Sequence, residues 1–243
     1  MDKNNLPDGY VHRPPQCRLC FKDNEKISTL GEWKLYNNPG YWGSPNPKIL
    51  VLGFSKGRNQ NIETKNFEKI PFAGARPRLE RVFKTLNIMP PNRSIDDLMK
   101  VNEQTFGVAS LVRCSICKIK GEKCRTSGDV IPSAFTNAST KAIIQRCANT
   151  FLGKLPDSVK LVVLLGTSDN YIRETEFIFA ELYSDYESIN PCAFRAGGAL
   201  WVYATHPSPG NGHFKSWEEG KDNTSAQKRI FALQALSSFP RPY

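Results

Sequence analysis

His206 stands where an apolar, β-branched run gives way to prolines and glycines, in Leu200 to Phe214 (LWVYATHPSPGNGHF). A histidine at the carboxyl end of an expected strand, on a loop stiffened by Pro207 and Pro209, is held still for proton or hydrogen-bond chemistry. Open α/β sheets place their ligands at that edge. A proline-rich surface turn that merely contains a histidine reads the same way, so the rest of the chain has to decide. The thiols form a second group. Cys17 and Cys20 make a C-x-x-C, Cys114 and Cys117 make another with Cys124 close by, and Cys147 and Cys192 stand apart. Seven cysteines, an odd number, suit a closed disulfide framework poorly. In a reducing compartment such grouping points to metal.

The elements that would carry these residues alternate. Lys48 to Phe54 (KILVLGF) and Val159 to Leu165 (VKLVVLL) are short apolar runs of the kind buried parallel strands show. Phe106 to Val112 and Leu200 to Thr205 are further strand candidates. Ala75 to Asn87, the stretch opened by Ser94, Thr140 to Leu152, Ser168 to Tyr183 and Thr224 to Leu236 carry helical spacing or caps. This alternation predicts an α/β fold, a three-layer αβα sandwich around a central four-stranded parallel sheet. Residues 1–47, rich in Pro, Asn and Gly, read as an irregular arm. Lys118 to Ser133 reads as a basic polar insertion and Pro191 to Gly198 as a turn region. Without a repeat or low-complexity tract, the 243 residues are expected to form one domain, with the arm tied to it through Cys17 and Cys20.

A hydrophobic content of 40% beside 23% charged residues describes a globular chain able to bury a sizeable core. No apolar run approaches the roughly 20 residues of a membrane span, so no membrane partner is expected. The polar start, MDKNNLPDGY, lacks the apolar core of a secretory signal, which leads to the expectation of a cytoplasmic, nucleoid-associated protein. A net charge of +10 implies a polyanionic partner, most simply nucleic acid. Charge alone separates neither DNA from RNA nor either from an acidic protein. Only three histidines and no acidic cluster near the loops speak against a metal-dependent hydrolase or nuclease.

Three loops fall at the carboxyl ends of strands: Gly53 to Asn61, Leu111 to Cys114, and His206 to Phe214. Their sequences resemble the uracil-DNA glycosylase superfamily, and the likeness runs from residue 17 to about residue 236. His206, Pro207, Ser208 and Pro209 match that superfamily's H-P-S-P loop. Gly53 to Gly57 (GFSKG) loosely matches its first, glycine-containing motif. Pro71, Phe72, Ala73 and Gly74, followed by Arg78 and Leu79, are similar to its P-F-x-G segment and the helix after it. Val163 to Gly166 resembles its third strand. The layout is closest to the iron–sulfur branches, in which an N-terminal C-x-x-C is joined by a cysteine ending the second strand and one in the next helix. Cys17, Cys20, Cys114 and Cys147 fall at those places, so the resemblance implies a [4Fe–4S] cluster that ties the arm to the core. Zinc held by Cys17, Cys20, Cys114 and Cys117 is the rival.

For chemistry, the resemblance implies a monomeric, monofunctional DNA glycosylase that flips a base out and hydrolyses its N-glycosidic bond, leaving an abasic site. His206 would donate a hydrogen bond to the carbonyl oxygen of the leaving base. Phe72 would stack on that base, with Phe54, Ser55 and Ser110 completing the pocket. Lys56, Arg58, Ser208 and Asn211 would meet DNA, and His213 or Phe214 would be the wedge pushed into the duplex. No lysine is placed convincingly as a Schiff-base nucleophile. Two positions depart from the family pattern. Phe54 and Ser55 stand where relatives carry an Asp, Asn or Glu that positions water; the nearest polar substitutes are Asn59, Gln60 and Glu63, of which Asn59 is preferred. Ser110 stands where relatives carry an Asn that reads uracil's edge. Losing that paired donor and acceptor points away from plain uracil. The small Ser55, Ala73 and Ser110 leave room for a bulky modified pyrimidine, such as the glucosylated hydroxymethylcytosine that an antiviral part of the superfamily removes from phage DNA. Ordinary uracil repair, or a non-catalytic DNA-binding module on the same fold, are the alternatives.

Overall fold

The computed structural model describes residues 8–57, 66–126, 128, 130–220 and 223–240. In chain order, β1 (Ile27–Leu30) and β2 (Trp33–Tyr36) form a hairpin, and β3 (Trp42–Gly43) and β4 (Ile49–Ser55) precede helix α1 (Arg76–Thr85). Next come β5 (Phe106–Val112), β6 (Ser115–Lys120) and β7 (Lys123–Arg125), then α2 (Val130–Thr136) and α3 (Ala138–Leu152). Strand β8 (Leu161–Leu165) leads to α4 (Asp169–Leu182), and β9 (Glu187–Asn190), β10 (Ala193–Ala196) and β11 (Ala199–Ala204) follow. Helices α5 (Phe214–Glu219) and α6 (Thr224–Leu236) come last.

The main sheet has the order β3-β5-β4-β8-β11-β10-β9. It corrects the expected four-stranded parallel sheet to a seven-stranded mixed one. Strands β5, β4, β8 and β11 run parallel to their neighbours in the middle, whereas β3 at one edge and β10 and β9 at the other are antiparallel. The extra edge has a local cause. Gly197 and Gly198 sit at φ 59° and 71°, the left-handed pair that a tight hairpin turn needs. The Asp185 carboxylate accepts both of their N–H groups, at 2.9 and 3.1 Å. The stretch read as a turn region therefore continues as the hairpin β10–β11.

Side chains of the inner strands alternate between two cores. Leu50, Leu52, Val162, Leu164, Trp201 and Tyr203 belong to the core that Ile143 and Ile144 of α3 and Phe179 of α4 complete. Ile49, Val51, Leu161, Val163, Leu200 and Val202 belong to the other, with Leu79 and Phe83 of α1, Trp217 of α5 and Ala232 of α6. With both faces covered, these strands carry apolar residues on both sides until Ser55 at the end of β4, which is why they read as apolar runs. The layers are helix, sheet, helix.

A separate four-stranded antiparallel sheet, ordered β1-β2-β6-β7, corrects two further expectations. The arm is partly regular, and the basic insertion supplies its outer hairpin. Trp33 and Leu35 are buried on one side of β2, while Lys34 and Tyr36 are half-buried on the other. Cys117 and Cys124 are joined as a disulfide between β6 and β7. No helix among the described residues is long and apolar enough to cross a membrane.

Candidate functional site

The four parallel strands end at one edge, and the residues there enclose a cleft of about 1290 Å³. Gly53, Phe54 and Ser55 of β4, Ser110 of β5, Phe72 from the loop before α1, and His206 beyond β11 all line it. The structure thus brings together five side chains expected at the site, from four separate segments.

His206 is half-buried, directly after the buried Ala204 and Thr205. Its Nδ1 accepts the main-chain N–H of Ser208 at 3.1 Å. An accepting Nδ1 carries no hydrogen, so in the neutral ring Nε2 holds it and is the donor. Burial pushes the imidazole's pKa down to about 4, and the Arg78 cation pushes the same way. At neutral pH this histidine is therefore an uncharged donor. The Phe72 ring lies 6.3 Å from it, centroid to centroid, tilted by 50°. Phe72 has φ 52°, a left-handed backbone that costs a non-glycine residue free energy, and such strain collects at functional sites. A methyl group added at Gly53 would stand 3.6 Å from Ser110 Oγ and 4.0 Å from Phe72 Cζ. The missing side chain at Gly53 keeps the gap between Ser110 and Phe72 open.

The loop after His206 is braced from inside. Arg78 donates through Nη1 to the Ser208 carbonyl (2.7 Å) and through Nη2 to the Asn211 carbonyl (3.3 Å). Asn211 Nδ2 donates to Thr205 Oγ1 (3.0 Å) and to the His206 carbonyl (2.8 Å), while its Oδ1 accepts the N–H of His213 (3.1 Å). Asn211 is thus held by the loop itself, half-buried in the cleft lining. Phe214 needs a correction. It is the buried first residue of α5, and the Arg78 guanidinium lies 3.9 Å from its ring centroid. A core side chain cannot be the wedge, whereas His213 beside it is exposed. Ser208 is half-buried at the cleft wall, and its main chain holds His206 and Arg78.

Lys56 is also corrected. It is buried, its Nζ donates to the Asn38 carbonyl at 3.0 Å, and burial pushes its pKa down, so it does not face the cleft as a phosphate ligand. Phe54 is buried against Phe135 and Tyr171, with ring centroids 5.6 and 6.4 Å away. Arg58 and Asn59 lie outside the described residues. Sequence reasoning missed the brace formed by Arg78, since nothing in GARPRL distinguishes a loop-holding arginine from a solvated one. It also missed the far wall of the cleft at the starts of α4 and α6. There Lys228 donates to the Thr167 carbonyl and to Asp169, both at 2.6 Å.

Cys17, Cys20, Cys114 and Cys147 meet at a second, much smaller cavity of about 20 Å³, which Arg113 also lines. The Arg113 main-chain N–H donates to Cys147 Sγ at 3.3 Å, and Arg146 Nη1 lies 3.6 Å from Cys20 Sγ. Burial pushes the Cys147 thiol up to about 12 and the Cys114 thiol well above its ordinary value. Among the described residues, no three or more His, Cys, Asp or Glu side chains stand close enough together to hold a metal ion. Cys117 is bonded to Cys124 here, so the thiols gathered at this cavity are Cys17, Cys20, Cys114 and Cys147. The remaining donors are four thiols in mostly apolar surroundings, with N–H groups directed at two of the sulfurs. That set fits a soft iron–sulfur centre better than a hard, oxygen-seeking cation.

Residues 40–233 match the family model of the uracil DNA glycosylase superfamily. No curated protein matches the chain.

Proposed function

Because the chain belongs to the uracil DNA glycosylase superfamily, we propose that it is a monofunctional DNA glycosylase. It removes a modified pyrimidine by hydrolysis of the N-glycosidic bond and works as a monomer on DNA in the cytoplasm. The observation that carries this reading is the neutral His206 at the cleft, its Nδ1 tied to Ser208 and its Nε2–H free to donate. Breaking the C1′–N bond leaves negative charge on the departing base. A fixed donor at the base's carbonyl oxygen stabilises that charge by roughly 3–4 kcal/mol. The donor need not lose its proton, and a ring of depressed pKa avoids the alternative of binding one. Extruding the base costs a few kcal/mol, and stacking on Phe72 offsets part of it.

The shape of the cleft supports a substituted base over plain uracil. Ser110 offers one hydroxyl where a paired reader would be needed, and Gly53 and Ser55 leave space around it. The cleft extends to the starts of α4 and α6, where a substituent such as a sugar would lie. A hypermodified phage cytosine fits that description, and the protein's setting is then antiviral defence. Cys17, Cys20, Cys114 and Cys147 would hold a [4Fe–4S] cluster, which when bound clamps the arm to the core and adds a redox centre.

The test is a panel of duplex and single-stranded DNAs carrying uracil, hypoxanthine or phage-modified cytosines. Abasic sites are revealed by alkaline cleavage and the freed base is identified by mass spectrometry. Release of a substituted pyrimidine that disappears with His206→Ala is the expected result. Salt-dependent DNA binding without product on any substrate, unchanged by His206→Ala, would instead identify a binding module.

A further inference from the structure

Arg113 is wholly buried, and apart from an interaction with the neutral Tyr10 hydroxyl its side-chain nitrogens have no hydrogen-bond partner among the described residues. Its guanidinium lies among the rings of Phe151, Tyr41 and Tyr10, at 4.9, 5.6 and 5.7 Å from their centroids. No carboxylate among the described residues forms an ion pair with it. An unpaired buried cation is strongly disfavoured. The rings offset part of the cost, but they carry no net charge. Some anion has to complete this environment.

The candidate lies on the same wall. Arg113 lines the cavity of Cys17, Cys20, Cys114 and Cys147, and its own N–H reaches Cys147 Sγ. Arg146 at Cys20 adds a second cation, but an exposed one. Arg113 is the buried one.

We propose that Arg113 is the built-in counterion of the thiolate centre and thereby governs how firmly an iron–sulfur cluster is held and how easily it is reduced. This rests on the reading that the four cysteines hold such a cluster. A [4Fe–4S] centre on four thiolates is dianionic at rest and gains negative charge on reduction, so an adjacent buried cation favours both retention and the reduced state. The aromatic cage fixes the cation in advance. Without a cluster, the same cation is a burden on the fold.

The experiment compares anaerobically purified wild type with Arg113→Lys, Arg113→Met and Arg113→Gln. It reads iron and sulfide per chain, the rate of cluster loss to a chelator, the reduction potential, and thermal unfolding with and without the cluster. Wild type and the Lys variant should carry about four irons per chain. The Met and Gln variants should lose the cluster about tenfold faster and shift its reduction equilibrium about tenfold toward the oxidised form, about 59 mV for one electron. Stripped of iron, the Met variant should unfold at a higher temperature than stripped wild type, and loading should reverse that order. Wild type free of iron and sulfide sinks the cluster reading and this one together. A loaded wild type whose neutral variants match it in potential and retention sinks this one alone. So do neutral variants that fail to fold, or a Lys variant that loses the cluster as fast as they do.

Discussion

The N–H of Ser208 meets Nδ1 of His206 across 3.1 Å, and this one bond selects the nitrogen that can serve a substrate. The link closes within three residues, with Pro207 between the partners and Pro209 after them, so little freedom remains for the ring to turn. His206→Ala should lower the single-turnover excision rate by about 10²–10³, the usual cost of losing one fixed donor to a developing anion. DNA affinity in a salt-matched binding assay should stay within a few-fold of wild type. An unchanged rate would end the assignment of His206 as the leaving-group donor.

The pH profile follows from the same ring. With its pKa pushed down to about 4, the imidazole stays neutral across the ordinary working range. Excision should be flat from about pH 6 to 9 and fall only as pH approaches 4, where protonating Nδ1 breaks the bond from Ser208. Stability should move with it. The unfolded ring titrates near 6.5 and the folded one near 4, so the unfolded state binds more protons between these values. Stability is then lost as pH falls through that window and is unaffected above it. A rate inflection near 6.5 would show a ring that is free and solvated.

Arg78 acts on His206 through the loop that carries it. Arg78→Ala removes two hydrogen bonds to loop carbonyls and the stacking on Phe214. A loss of about 1–3 kcal/mol in thermal unfolding is expected, with a larger proportional fall in excision rate than in DNA binding. The His206 pKa should rise, because a cation that depresses it has gone. Arg78→Lys keeps the charge but not the planar fork that spans Ser208 and Asn211, so it should restore the pKa more than the rate. Nuclear magnetic resonance titration of His206 separates the two effects.

Strands β4, β5, β8 and β11 were legible because burial on both faces leaves unbroken apolar runs such as KILVLGF and VKLVVLL. The cleft edge was legible for the same reason, since glycines and prolines punctuate those runs where they end. Strands β1 and β2, of four residues each, are too short for periodicity to register, and the strand that β2 joins them to, β6, lies some 80 residues away. Phe214 shows a different limit. An apolar residue after a glycine-rich loop suits both a wedge and a helix's first buried turn, and only the packing of Arg78 on its ring decides between them. Lys56 was misplaced because lysines are usually solvated, and what turns it inward is a carbonyl in the distant arm. Arg113 could not be singled out, because its isolation is a property of the folded interior.

Gly53 tests where the base sits. A methyl there would meet Ser110 Oγ at 3.6 Å and Phe72 Cζ at 4.0 Å, both ordinary van der Waals contacts, and Gly53 does not occupy the left-handed backbone region. Gly53→Ala should therefore leave the melting temperature unchanged or raise it slightly, since alanine loses less backbone freedom than glycine in a strand. The same methyl would stand between the Phe72 ring and the Ser110 hydroxyl. Excision of a substituted pyrimidine should fall about tenfold, the scale on which one methylene discriminates in a close-fitting pocket. Binding to DNA that already carries an abasic site should not change, because no base then enters the gap. Steady-state excision, abasic-site binding and thermal unfolding measured on this single variant keep pocket filling apart from misfolding. Full activity in a stable Gly53→Ala protein would place the flipped base elsewhere in the cleft, away from Phe72 and Ser110.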